Sequence, residues 1–556
     1  MPATIVNRSG ERTRVTVRAK LGAVECEAID IQLTGATEQA VELPVKFPKA
    51  AKQIPLHITL TRGDEKLFVE QRKMTIPPPL TLAPIIPTHW AVEDGPPTLS
   101  GEVDLAVSQK MLDGAALKAT LVDASGKVCA TWTSDNAHAP KDFTNAFTLS
   151  SEPLPVGAYR VIIALKSAEG DEGLAEQPFG VIERRQARVT LNDSGYPVHD
   201  GTAIFPLGIF NGGARVKEMG EAGFTVQHAY NAVNVEPGER PNDQGAKDFL
   251  DNASDNGMKG LFLIPRGLAF SGDWEGVRRR IRMFKNHPAL LAWDEEEGIA
   301  RGDLAPEGLA KLVSLIREED PHHPIMVGDA RDIISRMTDR SNFFPTDHMD
   351  LGMWWWYPFP LDKGKDSGLE GEERSKELEL APPSFLALAK VKQPLWVGVQ
   401  SYKKPPEWGR YPTPLEYRAQ AYLAIIHGAK GLMWYGGSVT GGMYAKLEEA
   451  HWPELKAIVR ELRDLSPTFM GETMESPPFE PGDAKLSVML KRSPEGRLIL
   501  LAVNRAAKPV DVTIKLRDIE DADIAVLSEK RSVSIMSSGL RDHFDPYAVH
   551  VYEVKR

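Results

Sequence analysis

The sequence predicts a multidomain protein: a central (β/α)8 TIM barrel, preceded by two N-terminal β-sandwich domains and followed by a C-terminal β-sandwich. Three observations predict it. The chain has 556 residues, too many for one core. Both ends of the chain alternate apolar and polar residues, as half-buried strands do. Between them, short apolar runs alternate with amphipathic helical runs over about 250 residues, the rhythm of a βα-repeat.

Residues 1–80 carry TRVTVRAKL, IDIQLTG, LHITLTR and KLFVEQRKMTI, strand patterns joined by short turns. The run Pro77-Pro78-Pro79 makes a stiff linker. Residues 81–186 form a second, Ig-like β-sandwich. In its LKATLVDASGKVCATWTS a Ser-Gly turn joins two strands. The barrel is expected over 187–470. Its strands are AIFPLGIF (203–210), TVQHAY (225–230), GLFLIP (260–265), LLAWDEE (290–296), PIMVGDA (324–330), MDLGMWWW (349–356), PLWVGVQSY (394–402) and GLMWYGG (431–437). Helical runs such as WEGVRRRIRMFKN, PEGLAKLVSLIREED and PLEYRAQAYLAIIHGA lie between them. The connection from the fifth strand to the sixth, RDIISRMTDRSNFF, is a short, poor helix. From 471 to 556, KLSVMLKRS, GRLILLAVNRA, PVDVTIKL and YAVHVYEV predict the C-terminal β-sandwich.

A net charge of −11, spread along the chain, argues against nucleic acid or an anionic membrane as partner. No apolar run approaches a membrane span. Cys26 and Cys129 suggest neither a disulfide framework nor a metal ligand set. The N-terminus MPATIVNRSGERTRV has no signal-peptide apolar region, so the expected location is the cytoplasm, or the periplasm or exterior if a leader preceded this sequence. No cofactor or resident metal is expected. Homo-oligomerisation through the β-sandwich domains is an open option.

The most unusual stretch is NHPALLAWDEEEG (286–298), where an apolar strand runs into four consecutive acids. At the C-terminal end of a barrel strand such acids stand where barrels keep their active sites. Crowded carboxylates push one another's pKa upward, which suits a general acid. Glu295, Glu296 and Glu297 are therefore the catalytic candidates. The alternatives are a solvated loop or a calcium site, although the spacing fits no known calcium loop. Trp354, Trp355, Trp356 and Tyr357 form the most aromatic stretch, and sugars stack their C–H faces on such rings. Strand alternation turns at least one of these tryptophans outward. His228, Tyr230 and Asn231 after strand two, Gln400 and Tyr402 after strand seven, and Trp434 and Tyr435 after strand eight complete the substrate-binding candidates. His322 and His323 precede strand five and are structural in this reading. The Gly-rich YGGSVTGG lacks the Gly-Lys-Ser/Thr of a phosphate loop.

NHPALLAW followed by acids resembles the fourth-strand region of clan-A glycoside hydrolases. VTLNDSGYPVHDGTAIFPLGIF is similar to the entry into the barrel in the β-galactosidase and β-glucuronidase-like group, and FDPYAVHVYEV resembles the closing strands of such enzymes. The resemblance covers residues 187–556. It implies an acid/base at Glu295, Glu296 or Glu297 and a nucleophilic Glu at the end of strand seven. Gln400 stands at that second position, and a glutamine cannot attack an anomeric carbon as a carboxylate does. The second carboxylate would then come from Asp329 after strand five, or from Asp347 or Asp350 near strand six. It would act as nucleophile or, in an inverting enzyme, as base.

The expected function is thus hydrolysis of a poly- or oligosaccharide by carboxylate acid/base catalysis at the C-terminal face of the barrel. The rival is a non-catalytic carbohydrate-binding protein on a degenerate glycosidase barrel. A lyase or isomerase using the acids to hold a metal comes third.

Overall fold

Periodicity of two dictates the first part of the chain. Thr13–Leu21 buries Val15, Val17, Ala19 and Leu21, and between them Thr16 is half-buried while Arg18 and Lys20 are exposed. It pairs with Ile29–Leu33 and Ala51–Arg62, and the latter continues to Glu65–Ile76. Pro2–Val6 pairs separately with Glu38–Glu42. The next region has one sheet containing Val128–Thr133, Ala116–Asp123, Gly157–Ser167 and Gly170–Ile182, in that order. A second places Thr98–Leu105 between Thr144–Ser150 and Leu80–Leu82. The expected Ser-Gly turn is present. Asp123 Oδ1 accepts from the amides of Ser125 and Lys127, and Gly126 adopts φ +86°, which a side chain would disfavour.

The computed structural model describes residues 2–554 except 44–50, 108–111, 113, 135–143, 168–169, 211–214, 229–240, 297–303, 330–347, 358–392, 403–410, 436–450, 517–521 and 537–538. The chain divides into two units. One is 1–85 with 96–180; the other is 86–95 with 181–556.

The second unit holds a closed barrel of eight parallel strands. They are β1 (Leu207–Phe210), β2 (Val226–His228), β3 (Lys259–Leu263), β4 (Leu290–Glu296), β5 (Ile325–Asp329), β6 (Leu351–Trp356), β7 (Leu395–Gln400) and β8 (Gly431–Tyr435). Every strand expected from the sequence is present, shorter than expected except for β4. The described helices are α1 (Val216–Ala222), α2 (Asp243–Asp255), α3 (Arg266–Ser271), α4 (Trp274–Phe284), α5 (Pro306–Glu319), α6 (Pro414–Ile426) and α7 (Trp452–Met470). Their starts follow local chemistry. Asn242 and Asp273 cap α2 and α4, each accepting from an amide three residues on. Thr413 and Glu416 form a capping box on α6, with Pro414 in its first turn. Helix α7 is not among the helical runs expected from the sequence, and RDIISRMTDRSNFF lies outside the described residues.

Alternate residues of each strand split between two layers. Val226, Leu261, Met326, Leu351, Met353, Trp355, Trp396 and Met433 fill the lumen. Phe262, Trp293, Ile325, Val327, Trp354, Trp356, Val397, Val399 and Trp434 pack outward with the helices. A small sheet of Val189–Leu191, Pro197–His199 and Thr202–Ala203 contributes Val189 to the lumen cluster. Its Val189 amide donates to His322 O, next to the N-terminal end of β5. Asn192 Oδ1 closes its turn by accepting from the amides of Ser194 and Tyr196.

The C-terminal region is a sheet of nine strands. Three of them are β9 (Leu486–Arg492), β10 (Leu498–Asn504) and β11 (Val549–Val554). Leu498, Leu500 and Ala502 of β10 face the core of that region, while Ile499, Leu501 and Val503 join the helix layer of the barrel. LILLAVN is continuously apolar because both of its faces are buried.

Candidate functional site

The site is built where the lumen opens at the C-terminal strand ends. His228 ends β2 with Val226 inside the barrel, so alternation turns the imidazole inward. Its Nε2 lies 2.7 Å from Asp294 Oδ2, with both side chains fully buried. The His228 ring lies against Phe210, with centroids 4.2 Å apart. Phe210 in turn meets Trp355 at 4.6 Å and Tyr435 at 5.6 Å. Tyr435 stacks on Tyr357 at 5.9 Å, and Tyr402 stands edge-on to both, at 5.3 Å from Tyr357 and 5.5 Å from Tyr435. These rings form one continuous aromatic cluster, the cup, at the C-terminal strand ends; Phe210, Trp355 and Tyr402 are almost fully buried in it.

On β7, Trp396 faces the lumen and Gly398 faces Trp355, so Gln400 shares their inner side. Gln400 is wholly buried. Its backbone is pinned to α6: the Gln400 amide donates to Gln420 Oε1 (3.2 Å), and Gln420 Nε2 donates to Gln400 O (2.7 Å). Ser401 ties the same strand end to β8 by donating from Oγ to Tyr435 O at 2.7 Å.

Strand β4 decides which acid enters this cup. The register runs Gly260 with Leu290 and then Leu261 with Ala292, so Leu291 is an extra residue. Leu291 and Ala292 both lie in the lumen cluster, Trp293 turns outward, and Asp294 turns inward to His228. That is a β-bulge, a device that re-aims side chains at the rims of barrels. Glu295 has the parity of Trp293 and pairs in register with Val327, both in the helix-facing layer. It is therefore a buried residue on the helix side of the strand, contrary to its expected place in the cup. Glu296 pairs in register with Gly328, and its side chain lies outside the described residues, as does all of Glu297.

Several other expected site residues fall elsewhere. Asp350 precedes β6 at the N-terminal end of the barrel, where it accepts from Arg317 Nη2 (3.0 Å) and the Ile325 amide (2.9 Å). It is not brought together with the strand-four acids, because six strand residues separate it from the cup. Trp354 and Trp356 stack on each other in the helix layer, at 6.1 Å, while Trp355 enters the cup. Trp434 also faces the helices, edge-on to Phe224, and so is not a cup floor. Asp329 ends β5 with its backbone in register with Trp354; its side chain, and all of Tyr230, Asn231, Asp347 and the Gly-rich loop after Tyr435, lie outside the described residues.

The histidines before β5 have structural partners. His323 Nδ1 and the Trp293 indole NH both reach Asp320 Oδ2, at 2.8 Å each. The NHP motif is anchored likewise, through His287 Nε2 to Asp251 Oδ1 (3.0 Å) and Asn286 to His89 O. Burial raises the Asp251 carboxyl, but bonds from His287 and Lys247 outweigh it and bring the pKa to about 2.

Two cup residues were missed from the sequence, Phe210 and Asp294. Phe210 was legible as the last residue of the first strand. Asp294 was not, since the bulge that turns it inward leaves no mark in the sequence. Among the described residues no three His, Cys, Asp or Glu side chains converge as a metal site, and no helix is long and apolar enough to cross a membrane.

No known protein family matches the sequence, and no curated protein matches it. Solved structures are similar in arrangement. A family 39 glycoside hydrolase from Bacteroides cellulosilyticus WH2 shares 13% identity over 86% of this chain and 100% of its own, with a TM-score of 0.40. A β-glucuronidase from Ruminococcus gnavus shares 10% over 83% and 88%, at 0.38. A putative α-galactosidase/melibiase from Bacteroides fragilis shares 12% over 86% and 98%, at 0.43. At this identity and similarity they assign no substrate; the barrel stands on its own strand order.

Proposed function

We propose that this protein is a glycoside hydrolase acting on a poly- or oligosaccharide bound in the aromatic cup. The observation that carries the reading is the cup itself. Phe210, Trp355, Tyr357, Tyr402 and Tyr435 gather at the C-terminal strand ends of a closed barrel, with the Asp294–His228 pair beside them. Aromatic faces receive the apolar faces of sugar rings, and polar groups beside them receive hydroxyls. The proton for the leaving oxygen comes from the end of β4. Glu296 is the first candidate, two residues beyond Asp294 on the strand, and Glu297 follows. Asp329, at the end of β5, is the candidate second carboxylate. A separation of about 5–5.5 Å between the two carboxyls goes with retention, and roughly 6.5–9.5 Å with inversion.

The test is release of 4-nitrophenol from a panel of 4-nitrophenyl glycosides, and of reducing ends from polysaccharides. Wild type runs beside Glu295→Gln, Glu296→Gln and Glu297→Gln. Loss of an acid catalyst lowers the rate about 10²–10⁴-fold. Glu295→Gln is expected to keep its activity, while Glu296→Gln or Glu297→Gln loses it. Full activity in all three variants removes strand four from the mechanism.

One observation favours a second reading, a barrel that binds sugar without cleaving it. Gln400 is a neutral amide on the inner side of β7, beside Tyr402. Binding of a glycoside without turnover, across the whole panel, selects that reading.

A further inference from the structure

We propose that Asp294 is the group that accepts a hydrogen bond from a ring hydroxyl of the bound sugar, and that His228 is the positioning residue that holds it; this rests on the carbohydrate reading above. Oδ2 of Asp294 is committed to His228 Nε2 at 2.7 Å. Oδ1 is buried and has no hydrogen-bond partner among the described residues. A buried carboxylate oxygen without a donor is rare in folded proteins, and it marks a place where a donor is supplied from outside the fold. The oxygen is also in the right place. Asp294 is in register with Met326 of the lumen cluster. Its partner His228 packs on Phe210, which touches Trp355 and Tyr435. The pair is thus part of the cup wall, on the side opposite the helix-facing Glu295.

Chemistry narrows the ligand. A carboxylate oxygen accepts and does not donate, so its complement is a hydroxyl, not the carboxylate of an acidic sugar. The imidazole occupies Oδ2 and leaves Oδ1 for the incoming hydroxyl. A neutral sugar whose apolar face lies on the rings and whose edge hydroxyl meets Oδ1 satisfies both features.

The experiment uses the full chain and the 4-nitrophenyl glycosides of glucose, galactose, mannose, xylose and glucuronic acid. Hydrolysis is followed by 4-nitrophenol release and binding by tryptophan fluorescence. For the sugar taken best, its singly deoxygenated analogues are then measured on wild type, Asp294→Asn and His228→Asn, with thermal melts of each. A neutral sugar is expected to be preferred. In wild type one deoxy analogue should lose at least tenfold in affinity or kcat/KM. In Asp294→Asn the one remaining oxygen accepts from His228 Nε2 and an NH2, which cannot accept, replaces Oδ1, so the variant should lose a similar factor on the parent sugar and almost nothing further on that analogue. His228→Asn should lose less, in the same direction and against the same hydroxyl. A merely structural Asp294 would lower all analogues equally, which overturns the inference. So does equal recognition of every deoxy analogue by wild type, a readout that does not depend on the variants folding. If wild type neither binds nor cleaves any member of the panel, the carbohydrate reading falls and this inference falls with it. If wild type is active and Asp294→Asn matches it, only the inference falls.

Discussion

A Cβ built on Gly398 would come within 2.1 Å of Trp355 Cε3, a separation no real side chain tolerates. The missing methyl on β7 is what lets the indole of β6 lie flat inside the barrel and reach Phe210 and Tyr435. Gly398→Ala is therefore expected to destabilise the barrel by about 1–3 kcal/mol, the range for overpacking a filled core. It should also shift the emission of Trp355 and weaken glycoside binding. Unchanged thermal stability and binding in that variant would show that the ring is free to move aside. The same scale holds the Asp294–His228 pair. A buried carboxylate with one oxygen unbonded costs roughly 1–3 kcal/mol, more if charged, so such an atom is retained against a stability penalty.

Elements decide which residues reach the cup. Were β4 regular over this same sequence, strict alternation from Leu290 would turn Glu295, not Asp294, to the lumen. The bulge that absorbs Leu291 therefore decides which of the neighbouring acids faces inward. Helix α6 shows the same control at its two ends. Its start is fixed by the Thr413–Glu416 box, and losing that cap in Thr413→Ala should cost about 1 kcal/mol in a urea titration. Its C-terminal cap, His427, is held down to a pKa of about 4 by burial and then by the nearby Arg505 charge, with Ser487 Oγ 3.0 Å from its Nε2. Since the unfolded imidazole titrates near 6.5, between pH 6.5 and 4 the unfolded chain binds the proton and the folded chain does not. Stability contributed by neutral His427 is complete above pH 6.5 and falls as the pH drops to 4, by roughly 1–3 kcal/mol. His427→Gln should flatten that part of the curve. An unchanged slope between pH 6.5 and 4 would move the effect to other groups.

At the scale of the whole second unit, the barrel and the C-terminal sheet share a core. Ile499, Leu501 and Val503 of β10 and Val549 and Val551 of β11 pack with Tyr417, Tyr422 and Leu462 of α6 and α7. Arg418 spans the junction. It holds Glu461 through Nε and Nη2 and donates from Nη1 to Val549 O, while Tyr422 also donates to Glu461. The two parts are expected to unfold in one calorimetric transition. Arg418→Met removes the charge that balances a mostly buried Glu461, at a cost of about 2–4 kcal/mol, near the lower end for a broken buried pair. It should lower the transition temperature of this unit. Separate transitions for barrel and sheet in wild type would contradict a common core.

Legibility followed the range of the forces. Strand and helix periodicities are local, so all eight barrel strands, most helices and the flanking β regions could be read from the sequence. The cup was partly readable: His228, Trp355, Tyr357, Gln400, Tyr402 and Tyr435 lie at or just beyond the C-terminal ends of strands, and those ends gather on one face of the barrel. Placement differs from expectation where orientation depends on neighbours. Trp354 and Trp356 were separated from Trp355 by the pleat, and Asp350 sits before its strand, at the opposite end from the cup. By itself the sequence determined a repeating alternation of short strands and helices, hence a barrel and the end at which its aromatic residues gather. The tertiary structure alone decided that Asp294 enters the cup and Glu295 does not, because a bulge is defined only by pairing with a neighbouring strand.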